Sequence, residues 1–166
     1  MTNEIKKSTS PKDVFLHLLA IITLYVSAGS FVALLFQYIN ILFPDRLLAA
    51  DYYYLESAYS TIRWSIASLI VIFPVYIWIS RFLQKEMARD HEKAKSKIRK
   101  WLIYFTLFLT AIAIIVDLVT LIFNLLGGEI TMHFILKVLV VLFVASAIFT
   151  YYLWDLRIHK DETGSE

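Results

Sequence analysis

Four long apolar stretches divide this chain, with short polar segments between them. The first runs from Val14 to about Phe43, the second from about Ser60 to Leu83, the third from Trp101 to Leu126 and the fourth from about Thr131 to Leu156. An α-helix rises about 1.5 Å per residue, so about 20 apolar residues cross the hydrocarbon core of a bilayer. All four stretches meet that length. A helix packed in a water-soluble bundle keeps a polar face, and segments such as Leu109–Val116 and Val138–Ala145 have almost none. The pattern therefore predicts an all-α fold, an integral membrane four-helix bundle spanning residues 14–156. It is flanked by polar tails at 1–13 and 157–166 and interrupted by a basic segment at 84–100.

Local signals punctuate the stretches. Ser10-Pro11-Lys12-Asp13 reads as a helix start, because proline suits the first turn and an acidic group favours the positive helix end. Pro44-Asp45 ends the first helix, which is longer than a bilayer requires and so should tilt or finish as an interfacial segment. The following Asp51-Tyr52-Tyr53-Tyr54-Leu55-Glu56 suits a short interfacial helix with belt tyrosines, or a ligand-facing aromatic patch. Pro74 falls inside the second helix, where it removes a backbone hydrogen bond and favours a kink. Helices two and three should project beyond the bilayer and turn near Asp90–Ala94. Gly127-Gly128-Glu129 makes helices three and four an antiparallel hairpin, with Thr131 as the N-cap of the fourth.

Composition agrees with the pattern: the chain has 166 residues and is 59% hydrophobic, above the roughly 45–50% of soluble domains. It contains no cysteine, which excludes disulfides, thiolate metal sites and iron–sulfur clusters.

The placement of charge predicts orientation. Arg81, Lys85, Arg89, Lys93, Lys95, Lys97, Arg99 and Lys100 lie between spans two and three, Lys6, Lys7 and Lys12 in the first tail, and Arg157 and Lys160 in the last. The first opposite loop has only Arg46. Lysine and arginine accumulate on the cytoplasmic side, so the expected topology is N-in/C-in in a cell membrane. The same basic segment should be drawn to anionic lipid headgroups by about 1 kcal/mol per cation near the surface. Topology-setting charge accounts for the pattern without nucleic-acid binding. A competing reading makes the first stretch a signal peptide cleaved after Val26-Ser27-Ala28, but the apolar character continues to Phe43.

The chemistry on offer lies in polar residues within the apolar stretches. Thr106, Thr110, Ala113, Asp117, Thr120 and Asn124 share one face of helix three. His17, Ala20, Thr23, Ser27, Ser30 and Gln37 form a similar stripe on helix one, interrupted by Leu34. Such stripes let membrane helices approach closely, so both should face the bundle interior as packing faces or line a polar cavity. Arg63, Asp117 and Lys137 are charges set in apolar surroundings, each about 25–30 Å above the basic boundary by residue count. Three arrangements suit them. Asp117 pairs with Arg63 or Lys137 to fix register; or it titrates or binds a solute; or the cations snorkel to headgroups while Asp117 meets another chain.

No motif for a cofactor or for catalysis is present. His17 and His133 sit near opposite boundaries, so an internal bis-histidine haem does not fit, and His17 with His159 is the weaker inner-leaflet pairing. Glu129 and His133 have a metal-compatible i, i+4 spacing, but two ligands do not make a site. No Walker loop, zinc-protease pattern or G-x-S-x-G occurs.

Several short motifs carry a resemblance: Ile62-Arg63-Trp64, Phe73-Pro74, Gly128-Glu129-Ile130-Thr131, Phe134-Ile135-Leu136-Lys137, Tyr151-Tyr152-Leu153 and Asp155-Leu156. Across about Pro11–Arg157 the chain resembles a family of small bacterial four-span proteins known only as a domain of unknown function. The resemblance implies a bacterial cell-membrane protein and no activity, cofactor or catalytic residue. The expected function is a non-enzymatic accessory or scaffold protein that self-associates or binds a larger membrane partner. The alternative is a small transporter or channel subunit using Arg63, Asp117 and Lys137, and a redox or lipid-modifying enzyme ranks last.

Overall fold

The computed structural model describes residues 11–43, 52–89, 97–128 and 131–161. Within them the chain forms four helices and no strand: α1 (Pro11–Leu42), α2 (Tyr52–Arg89), α3 (Lys97–Gly127) and α4 (Met132–Asp161). Each is long and apolar enough to cross a membrane. At 30 to 38 residues they also exceed what a bilayer needs, so they extend into the headgroup layers or beyond. Tyr52–Glu56 forms the first turns of α2 rather than a separate interfacial helix. At its other end α2 continues past Leu83 to Arg89, and α3 begins at Lys97. The expected turn near Asp90–Ala94 lies outside the described residues.

α1 is the hub. It packs along α2 and also touches α4 and α3, while α3 and α4 pack on each other. Three polar contacts give the directions. Lys12, at the start of α1, reaches Glu86 near the end of α2. Arg99, at the start of α3, reaches Asp155 near the end of α4. His133, at the start of α4, reaches Asn40 near the end of α1. Each pair therefore runs antiparallel.

The interior combines small and hydroxylated side chains, Ala20, Thr23, Ser27, Ala58, Ser65, Thr106, Thr110 and Ala145, with branched aliphatics such as Ile21, Ile79, Leu83, Leu102, Ile103 and Val138. Many further large apolar side chains face outward, including Phe15, Ile70, Val71, Phe108, Phe123 and Phe143. In water this arrangement would expose far more apolar surface than a soluble monomer tolerates. In lipid it is the stable one, because tails solvate leucine and phenylalanine while close approach requires small residues.

Tryptophan marks the level of one boundary. Trp78, Trp101 and Trp154 are all exposed, and each lies within three residues of a cation on its outer side, Arg81, Lys100 and Arg157 respectively. An indole ring settles at the membrane–water interface and cations lie just beyond it. The fourth tryptophan, Trp64, is exposed beside Arg63 near the opposite end. Arg63 and Arg81 thus bracket about 27 Å of α2, close to one hydrocarbon thickness.

The turn between α3 and α4 follows from two local devices. Gly128 takes a φ of +72°, a left-handed conformation that ends α3, and its N–H donates to Leu125 O at 3.3 Å. Thr131 then caps α4, its Oγ1 accepting from Phe134 N at 3.2 Å.

Candidate functional site

Side chains from all four helices line a half-open cleft of about 80 Å³ at the basic end of the bundle, where polar groups are set in a mostly apolar wall that includes Ile21, Leu83 and Ile103. α1 supplies His17; α2 supplies Tyr76, Ser80 and Gln84; α3 supplies Arg99; α4 supplies Tyr151, Tyr152 and Asp155. Arg99 is only 6% exposed, and its Nη2 donates to Asp155 Oδ2 at 2.7 Å. A guanidinium at that depth requires a carboxylate, since removing either charge from water alone is costly. The pair ties the start of α3 to the end of α4.

His17 brings a second constraint. Its Nδ1–H donates to the carbonyl of Asp13 at 2.7 Å, one helical turn back. Its other ring nitrogen, Nε2, is buried with no partner. The cleft it borders is large enough for a few water molecules, which would satisfy it.

The opposite end is joined by a smaller network. His133 Nε2–H donates to Asn40 Oδ1 at 2.6 Å, and Asn40 Nδ2 donates to Gln37 Oε1 at 3.0 Å. Gln37, from the stripe on α1, thus orients the asparagine that holds α4. The metal-compatible spacing of Glu129 and His133 does not develop into a described site. Glu129 lies outside the described residues, and they contain no cluster of three metal-ligating side chains.

The two stripes pack as faces over part of their length. Thr23, Ser27, Thr106 and Thr110 are buried, and Ser30 is half-buried. Tyr25, on α1 but outside its predicted stripe, donates from its hydroxyl to Thr106 Oγ1 at 3.2 Å and so links α1 to α3. The threonine hydroxyls donate back into their own helices, Thr23 to Leu19 O, Thr106 to Leu102 O and Thr110 to Thr106 O. These threonines are satisfied within their own helices, whereas Ser27 Oγ is buried without a partner. The stripe of α3 then leaves the interior. Asp117 is half-buried, Thr120 is exposed and bonds to Val116 O, and Asn124 bonds to Thr120 O.

Arg63, Asp117 and Lys137 are not brought together: no ion pair within 4.0 Å links them among the described residues. Arg63 is exposed beside Trp64 at the boundary. The ammonium of Lys137 lies 5.5 Å from the centre of the Phe36 ring, a cation–π contact with α1. Asp117 Oδ2 is buried without a hydrogen-bond partner. Similar depth is not enough to make a pair. The three residues sit on different helices, and each helix's rotation is set by where its small residues pack.

Arg99, Asp155 and Asn40 are the residues that pattern reading passes over. Arg99 is one of eight cations in the basic segment and nothing local separates it from those that only set topology. A lone acid one residue inside the end of the fourth stretch is the available signal for Asp155.

Four membrane-crossing helices with a lipid-facing apolar surface define a small multi-pass membrane protein. The chain belongs to the family described as Domain of unknown function (DUF5671), which matches residues 13–152. No curated protein and no solved structure matches the chain.

Proposed function

We propose that this is a non-enzymatic accessory or scaffold subunit, oriented N-in/C-in, which associates with a second copy or a larger membrane partner through the outer half of α3. One observation carries the reading: the polar stripe of α3 is buried at Thr106 and Thr110 but emerges at Asp117 and Thr120, leaving Asp117 Oδ2 with no partner. A carboxyl at membrane depth requires a donor, and a neighbouring chain can supply one. Exposed Val116, Val119 and Phe123 flank the polar residues and would bury in the same contact. At the other end, the basic segment rests against anionic headgroups.

The absence of cysteine makes the test clean. Thr120→Cys, expressed at native level and treated with a thiol crosslinker in intact membranes, is expected to give a dimer or a discrete larger adduct. Asp117→Leu in that background is expected to reduce it. Monomer alone in both would defeat the reading.

The unpartnered oxygen of Asp117 also suits the transport alternative. The hydroxyls below it favour association, because they are sealed within the bundle and bonded to their own helices. Ion or solute flux into reconstituted vesicles that is lost in Asp117→Asn would reverse this order.

A further inference from the structure

The basic end of α2 carries a second concavity, outside the four-helix cleft. It is an open, mostly apolar depression of about 450 Å³ along one face of α2, lined by Trp78, Arg81, Phe82, Gln84, Lys85 and Ala88. We propose that this groove is a binding site for the headgroup of an anionic phospholipid.

Four observations support it. Arg81 and Lys85 are one helical turn apart, so both side chains reach a single phosphate. Both are exposed, and neither is held by an ion pair or hydrogen bond among the described residues. Their neighbours differ: Lys12 is held by Glu86 at 3.1 Å and lies 5.1 Å over the Phe82 ring, and Arg99 is held by Asp155. The wall of the groove is aromatic, with Trp78 and Phe82 stacked at 6.1 Å between ring centres. Trp78 belongs to the tryptophan level that marks the interface, so the groove opens where headgroups lie and the rings suit the start of an acyl chain. The site also adjoins the core, since Gln84 lines both the groove and the four-helix cleft.

α3 offers an internal comparison. Lys97, Lys100 and the stacked Trp101–Phe105 pair likewise place two cations beside a Trp–Phe stack at the same level. The proposal is that position, and not charge alone, selects the lipid. It rests on the reading that the basic end faces anionic headgroups, and adds a defined site to it.

The test uses the W64F/W101F/W154F protein, in which Trp78 is the only indole. It is reconstituted in phosphatidylcholine bilayers containing brominated phosphatidylglycerol or brominated phosphatidylcholine. The expected result is that Trp78 quenching gives phosphatidylglycerol a relative association constant roughly tenfold higher, falling to near parity with R81Q/K85Q and holding with K97Q/K100Q. Phosphatidylglycerol retained per chain after mild extraction provides the same comparison in the protein with all its tryptophans. Equal loss in both double variants would overturn the site while leaving general surface attraction intact. Parity in the parent protein would overturn both. Displacement of the lipid by inorganic phosphate would also overturn the proposal, because it would make the groove a simple anion site.

Discussion

Arg99 and Asp155 meet at 2.7 Å across α3 and α4, with the guanidinium almost fully removed from solvent and the carboxylate about a quarter exposed. Taking away one member removes the opposite charge that meets the other at 2.7 Å. Arg99→Gln or Asp155→Asn is expected to destabilise the fold by roughly 2–3 kcal/mol, toward the lower end of the range for buried pairs because Asp155 retains some water. The double variant should lose less than the sum. Lys12→Gln is the contrast: Lys12 is 61% exposed in its pair with Glu86, and its removal is expected to cost under about 1 kcal/mol. Unfolding in mild detergent, followed by circular dichroism or pulse proteolysis, measures all four.

At the other end, His133 depends on Asn40. Asn40→Leu removes the acceptor at 2.6 Å from Nε2 of the half-buried His133. A loss of about 1–2 kcal/mol is expected, with His133→Phe in the same background recovering part of it. No recovery would mean that the two side chains act separately.

Gly128 and Thr131 set the α3–α4 turn. Gly128→Ala places a Cβ on a backbone with φ of +72°, which is expected to cost about 1 kcal/mol although no neighbouring atom lies within 4 Å. Thr131→Ala removes the cap and is expected to cost about 1 kcal/mol. The same detergent unfolding assay resolves both.

Arg63, Asp117 and Lys137 should behave independently. With no ion pair among them, cycles of Arg63→Gln or Lys137→Gln with Asp117→Asn are expected to add to within about 0.5 kcal/mol in the isolated chain. A coupling well above that would require a rearranged bundle in the bilayer.

Thr106 is completely buried where α1, through Tyr25, meets α3. Thr106→Leu is expected to push these helices apart and cost about 1–3 kcal/mol, whereas Thr106→Ser keeps the hydroxyl and should cost less. Crosslinking between cysteines introduced on α1 and α3 reports the separation directly.

Four membrane-length helices, their punctuation by proline, glycine and threonine, and the small-residue faces of α1 and the first half of α3 are legible in the residue pattern. Those properties are local: run length, helical period and turn chemistry each involve residues close in the chain. Which polar residues meet depends on how the helices pack. Arg99 finds Asp155 from 56 positions away and Asn40 finds His133 from 93, whereas Arg63, Asp117 and Lys137, though similar in depth, face different surroundings. Depth can be counted along a helix from its charged end, but rotation about the helix axis cannot. It follows from how the small residues of α1 seat against three neighbours, and that is fixed only once all four helices are packed.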